Sequence, residues 1–371
     1  MHLQRLLLTD FKNIRNADIT FSQSVNCFSG NNGAGKTNIL DAIHYLSMTR
    51  SYFGQVDTES IYFGAPFFSV SGHYLFENAP TEHIVCVTEA SGHKYVKRNG
   101  KSYGRFSEHL GLLPIVMVSP SDTLLINSPA EERRRFVNVL LSQMDMIYLS
   151  VLQQYNKILS QRNHYLKLGE ISEGVMEALD IQLSAKASVI FEKRAALCRQ
   201  LSQVAEKYYA TLSGNTEALG LIYRSDLDNA PLDKLLKDSF AYDRSMGYTS
   251  QGVHRDDIVF LLNGQRIRKF GSQGQQKTFL VALKLAQFEV MKQRSGTSAI
   301  LLLDDIFDKL DKNRVSFLLQ LVAQEHFGQI FITDSNKARI EGVIDEFTSE
   351  YAFFDVEDGV IKGKNRGSHE T

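Results

Sequence analysis

Residues Gly30-Asn31-Asn32-Gly33-Ala34-Gly35-Lys36-Thr37 constrain this chain more than any other stretch, because they complete the pattern G-x-x-x-x-G-K-[ST]. In that pattern glycines let backbone amides close around phosphate oxygens, the lysine meets the outer phosphates and the hydroxyl ligates magnesium. The loop needs a strand before it and a helix after it. Val25–Ser29 reads as a short strand, and the segment from Asn38 to Leu46 carries apolar residues at helical spacing, so the loop opens a helix N terminus, an end that favours anions. Gly30 to Asn38 are therefore the expected contacts to a nucleotide such as ATP, with Thr37 a ligand to Mg2+.

Near the other end of the chain, Ala299-Ile300-Leu301-Leu302-Leu303 is an unbroken apolar run that stops at Asp304-Asp305. Such a run reads as a strand buried on both faces. Asp304 is expected to hold the magnesium, directly or through water, and Asp305 to orient the attacking water as a base. Lys36, Asp304 and Asp305 are thus the candidate catalytic set. Shortly before them, Ser272-Gln273-Gly274-Gln275-Gln276-Lys277 opens a helix marked by Phe279, Leu280, Ala282, Leu283, Leu285, Ala286 and Phe288, expected to be long and amphipathic. This turn resembles the signature motif of ABC-type ATPases, which touches the terminal phosphate of ATP held on the opposite protomer. By that resemblance Ser272, Gly274 and Gln275 join the nucleotide contacts.

Five segments in order then resemble one family: Leu6 to Asn13, Ser128 to Phe136, Gly252-Val253-His254-Arg255-Asp256-Asp257, the Ser272 turn, and Asp304-Asp305-Ile306-Phe307-Asp308-Lys309-Leu310-Asp311. They are similar to the RecF family of bacterial DNA-repair ATPases, relatives of the heads of SMC proteins, and the likeness runs from residue 1 to about residue 360. It implies an α/β fold: an ABC/SMC-type P-loop ATPase head formed by both chain ends, with an inserted helical arm. The implied division is 1–122 and 241–371 for the head and 123–240 for the arm. It further implies an ATP-induced homodimer, with Asp311 on a loop that crosses the interface; Asp305, one methylene shorter than glutamate and so farther from the water, is expected to make hydrolysis slow. Double-stranded DNA near single-strand/duplex junctions would be the ligand, and RecO, RecR and RecA the partners in recombinational repair, replication restart and the SOS response.

Two departures from transporter ATPases fit that family. Asp305 stands where a transporter has glutamate, one methylene longer, and the histidine expected after the last strand is replaced near Thr333-Asp334. A transporter subunit would need that histidine. An SMC-like structural tether would need a far longer arm, and a metabolic kinase would not need the Ser272 turn.

The arm itself is read from periodicity. Tyr148, Leu152, Tyr155, Leu159 and Arg162 recur at alternating spacings of four and three, as do Leu183, Ala187, Ile190, Arg194, Leu197, Leu201, Val204 and Tyr208. Such stripes mark two helices packed along a narrow seam, antiparallel if the chain breaks near Gly169. Before them, Ser128 is expected to cap a helix with Pro129 in its first position and Glu131 completing a capping box, and Arg135 to pair with Glu131.

A net charge of −1, from 41 basic and 42 acidic residues, does not announce a nucleic-acid binder, so any DNA surface must be a local patch. The stretch from His93 to Arg105, a hairpin with an Asn-Gly turn and several cations, is one candidate; Arg133-Arg134-Arg135 is another. Gln265 to Phe270 is expected to return from a second Asn-Gly turn as a strand, a helix to run from Val315 to Gln324, and the tail from Gly363 to fray. No apolar run is long enough to span a bilayer, and Cys27, Cys86 and Cys198 lack metal spacing, so reduced thiols in a cytoplasmic protein are expected.

Overall fold

Apolar alternation builds the first strands. β1 (His2–Phe11) buries Leu6 and Leu8 on one face and turns Arg5 and Thr9 to the other, the pattern of an antiparallel sheet covered on one side. β2 (Ile14–Thr20) pairs with it, β3 (Val25–Ser29) leads into α1 (Lys36–Met48), and β4 (Phe67–Phe76), β5 (Ala79–Glu89), β6 (Lys94–Arg98) and β7 (Lys101–Ser102) complete a sheet ordered β2-β1-β4-β5-β6-β7. Asn99 and Gly100 both take positive φ, 50° and 80°, as the Asn-Gly turn between β6 and β7 requires. β8 (Ile115–Val118) follows.

The middle of the chain is mainly helical: α2 (Thr123–Asn127), α3 (Ala130–Met144), α4 (Met146–Leu168), α5 (Glu173–Ser213), β9 (Leu219–Arg224), α6 (Leu232–Met246), β10 (Asp257–Leu262), β11 (Gln265–Arg266), α7 (Ile267–Phe270) and α8 (Gln273–Ser295). β12 (Ile300–Asp304), β13 (Ile330–Asp334), β14 (Tyr351–Glu357) and β15 (Val360–Arg366) close it. This computed structural model describes residues 1–54, 56–77, 79–169, 173–214, 217–306, 328–337, 342 and 351–366. Asp311 and the segment Val315 to Gln324 lie outside the described residues.

The chain divides into two compact units, residues 1–122 with 287–371 and residues 123–286. In the first, β15-β14-β3-β13-β12-β8 form a second sheet in which β3, β13, β12, β8 and β14 run parallel. β3, β12 and β13 are buried along their whole lengths, which is why the run from Ala299 to Leu303 leading through β12 is unbroken and shows no polar alternation. Phe21, Phe28, Phe331 and Phe354 pack together beside them, Phe28 stacked on Phe354 with centroids 5.1 Å apart.

In the second unit α4 and α5 are the expected antiparallel pair, and two of the stripe residues are buried arginines. Arg162 reaches Asp180 at 2.6 Å, Asp243 at 2.8 Å and the Thr249 hydroxyl at 2.9 Å. Arg194 donates to Asn138, the Tyr148 hydroxyl, the Val253 carbonyl and Asp256. The seam is thus pinned by charge as well as by apolar packing.

Several local expectations are corrected. α3 begins at Ala130, with Pro129 as its cap in an extended conformation (ψ 168°) and no side-chain capping bond, so Ser128 is not the cap. Arg135 lies 4.0 Å from Glu132, not against Glu131. Gln265 to Phe270 stays a strand only to Arg266 and then coils into α7, burying Ile267. α8 is not amphipathic: every residue from Thr278 to Phe288 is buried, the pattern of a helix enclosed on all sides. Gly363 to Arg366 belong to β15 and pair with β14.

Candidate nucleotide site

The parallel strands of the first unit point their carboxyl ends at one place, where ligands of open α/β sheets bind. β3 delivers the phosphate loop, β12 delivers Asp304, and β13 lies between them in register, with Thr333 opposite both Asp304 and Phe28. The loop has the backbone its glycines allow: Gly30, Gly33 and Gly35 have φ of 153°, 83° and 113°. Gly30 also has no room for a side chain, since a Cβ there would stand 2.2 Å from the Val356 carbonyl oxygen.

Gly35 caps α1, whose first turn has no preceding helical carbonyls for its amides and so offers them to an anion. Lys36 is buried to 7% exposure, its Nζ donating to the carbonyls of Gly30 at 2.7 Å and Asn31 at 3.0 Å, which folds the side chain back across the loop. Thr37 and Asp304, 267 residues apart in sequence, meet: the threonine hydroxyl donates to Asp304 Oδ1 at 2.8 Å. Two hard oxygen donors side by side fit Mg2+, which is held by one or two carboxylates and hydroxyls and keeps most of its water.

Burial, more than any neighbouring charge, pushes the Asp304 carboxyl above the usual carboxylate range, and hydrogen bonds from Thr37 and Thr333 oppose it. Asp305 turns into the left-handed region (φ 47°), a conformation Asp tolerates, and its amide donates to the Thr333 hydroxyl at 3.0 Å. Thr333 therefore ties both carboxylate residues to β13.

Two further residues were not singled out from sequence. Asn13, on the turn between β1 and β2, donates from Nδ2 to the Ala34 carbonyl at 3.2 Å and accepts from Asn38 at 2.7 Å. Gly359, in the turn between β14 and β15, donates its amide to the same Ala34 carbonyl at 2.8 Å. Asn13 ends one of the segments that carry the family resemblance, but nothing in that segment pointed to the loop; the fold brings both residues to it.

The second unit holds the Ser272 turn. Ser272 Oγ accepts from the Gln275 amide at 3.2 Å, and Gln275 Oε1 accepts from the Ser272 amide at 2.6 Å, a reciprocal capping box at the start of α8. Gln275 Nε2 also donates to Glu217. Of the two DNA candidates, the arginine run is largely committed within its own unit. Arg133 bonds Asp257 at 2.8 Å and the carbonyls of Leu125 and Ser128, and Arg134 bonds the Asp256 carbonyl at 2.7 Å. In the hairpin, Lys94 is taken by Asp57 and Arg98 by Glu82, leaving Lys97 over the Tyr95 ring and Lys101 exposed.

A glycine-rich loop, a paired hydroxyl and carboxylate, and a second carboxylate on a parallel sheet define a P-loop ATPase head of the ABC/SMC class. Residues 2–361 match the family described as the RecF/RecN/SMC N terminal domain. The chain is 44% identical to the DNA replication and repair protein RecF of Parabacteroides distasonis, over 98% of this chain and 99% of that one. It is 41% identical to the protein of the same name from Flavobacterium johnsoniae, over 96% and 100%. A solved structure described as the recombination mediator protein RecF with ATP superposes with a TM-score of 0.88, 30% identity and 98% coverage of both chains. An Smc head bound to the C-winged helix domain of ScpA gives 0.58 at 18% identity and shares the fold. The chain belongs to the RecF family. No described helix is long and apolar enough to cross a membrane.

Proposed function

We propose that this chain is an ATP-dependent DNA-binding protein of recombinational repair, in which nucleotide acts as the interface between two copies. The observation that carries the reading is the hydrogen bond between Thr37 and Asp304, which closes a magnesium-nucleotide site from the two ends of the chain. Thr37 and Asp304 would hold Mg2+, which would supply positive charge to offset that of the phosphates. The chain's own residues do the rest: the amides of Gly33 to Thr37 cradle phosphates, Lys36 turns from the loop carbonyls to the outer phosphates, and Asp305 orients water.

Ser272, Gly274 and Gln275 of one copy would close over the terminal phosphate held by the other, with Asp311 crossing the same interface. In functional terms the head comprises 1–122 and 241–371 and the arm 123–240. Hydrolysis, slow with aspartate at position 305, would release the dimer. Duplex DNA near single-strand/duplex junctions would lie across the paired heads. RecO and RecR would act with it to load RecA, supporting replication restart and the SOS response in the cytoplasm. The homologues named RecF and the RecF structures described within the RecFOR pathway support this reading.

Sizing the protein with and without Mg-ATP tests it, using Asp305→Asn to hold the nucleotide. A monomer without nucleotide and a dimer with it are expected. A monomer under both conditions would sink the dimer switch.

A further inference from the structure

The segment Gly252 to Asp257 has no part in the nucleotide site, yet all but one of its residues are held. Gly252 has φ 126°, and a Cβ there would stand 2.8 Å from the Tyr155 hydroxyl. Val253 is buried, and its carbonyl accepts from Arg194 at 2.6 Å. His254 is clamped between the Tyr155 hydroxyl at Nδ1, 2.8 Å, and the Thr249 carbonyl at Nε2, 3.0 Å. Asp256 is buried against Arg194 and the Tyr223 hydroxyl, and Asp257 binds Arg133. Arg255 is the exception. Its amide closes a tight turn on the Gly252 carbonyl at 2.8 Å, while its guanidinium is exposed and has no hydrogen-bond or ion-pair partner among the described residues.

Enclosing half-buried His254 and buried Asp256 on either side costs desolvation that their partners offset. The result is a rigid turn that presents a single cation. Arg134, whose guanidinium donates to the Asp256 carbonyl, stands beside it. Both arginines are near enough to His254 to disfavour its protonation, although burial is the larger cause. Asp256 and Asp257 are matched by Arg194 and Arg133, which leaves Arg255 as the cation of this turn without a carboxylate partner among the described residues.

We propose that Arg255 is a backbone-phosphate contact for duplex DNA, aimed by the anchors His254 and Asp256 on either side of it. This rests on the DNA-binding function proposed above. The other phosphate in that scheme is the terminal phosphate at the Ser272 turn, and the fold separates the two. β10 starts two residues after Arg255 and runs six residues to Leu262, about 17 Å at strand rise. At its far end Asn263 pairs with Ala218, beside the Glu217 that accepts from Gln275. Arg255 and the Ser272 turn thus lie at opposite ends of β10, so a nucleotide closed by Ser272 is not the partner of Arg255.

The test is duplex binding by the full chain in saturating Mg-ATP, measured by fluorescence anisotropy across a series of salt concentrations, for wild type, Arg255→Gln and Arg255→Lys. Losing one phosphate contact from each copy of the dimer lowers the magnitude of the slope of log Kobs against log salt by about 2 and weakens binding alike on unrelated duplexes. Arg255→Lys should keep the slope, and both variants should dimerise with Mg-ATP like wild type. A wild-type slope in Arg255→Gln, or loss of nucleotide-driven dimerisation in it, overturns the assignment. If wild type itself shows no salt-sensitive duplex binding, the DNA-binding function fails first, and the proposal with it.

Discussion

At Asn13 one side chain spans the phosphate loop and the helix that follows, donating to Ala34 and accepting from Asn38. Gly35 must be glycine partly for this reason, since a Cβ there would stand 2.8 Å from Asn13 Oδ1. Asn13→Ala removes both bonds while leaving Lys36, Thr37 and Asp304 in place. At about 0.5–1.5 kcal/mol per bond, we expect the melting temperature to fall by several degrees and ATP affinity to fall roughly tenfold as the loop loses its shape, read by calorimetric titration. Unchanged affinity would mean the loop holds its shape without Asn13. The loop was legible in sequence because its glycines, lysine and threonine are contiguous and each is demanded by phosphate. Asn13, Thr333 and Gly359 were not, because their roles come from strand register. His254 supplies a second residue-scale prediction. Burial lowers its pKa from the ordinary 6.5 to about 4. Between those values the unfolded chain holds a proton that the folded chain refuses, so this residue's stabilisation is present above pH 6.5 and is lost as pH falls toward 4. The loss is on the order of 2–3 kcal/mol. Urea midpoints at pH 7 and pH 5 should differ less in His254→Gln than in wild type; an equal difference would place the titration elsewhere.

Among elements, the α4–α5 pair was read correctly from spacing alone, since a stripe at three and four is what a helix–helix seam requires. That two stripe positions are arginines gave no hint of their burial. Arg162 has no exposed side-chain surface, and its carboxylate partner Asp243 is equally enclosed. Arg162→Met keeps the volume but leaves Asp243 buried without its cation, which costs about 3–5 kcal/mol. Arg162→Met with Asp243→Asn should recover part of that, because the unpaired charge is gone. Urea unfolding followed by arm-specific hydrogen exchange checks both; a single variant as stable as wild type would show that the pair is incidental. Where spacing misled, tertiary structure decided. Alternation from Gln265 to Phe270 looks like a strand, yet Gln276 Nε2 donates to the Gly271 carbonyl at 3.1 Å, and the segment coils before α8. α8 shows an apolar stripe, and its polar positions Thr278, Lys284 and Gln287 are buried as well, Lys284 lying 5.5 Å from the centre of the Phe136 ring.

For the whole molecule, the decisive matter is that the phosphate loop and the Ser272 turn belong to different compact units of the chain. If Ser272 acts on the partner's nucleotide, each dimer contains two composite sites, each drawing one half from each copy. Lys36→Ala removes the loop half from a chain but leaves its Ser272 turn intact; Ser272→Arg does the reverse. Each variant alone should be inactive in ATP hydrolysis. Mixed in equal amounts, chains that pair at random form hybrids in half of their dimers, and each hybrid joins one intact loop to one intact turn. Turnover should then recover to about a quarter of wild type when the two sites act independently. Site action within one chain gives a different result, because neither variant carries both halves, and the mixture stays as inactive as its components. Sizing the same mixture in Mg-ATP separates failed association from failed chemistry: hybrids that form without turning over would mean that both sites must close before either hydrolyses.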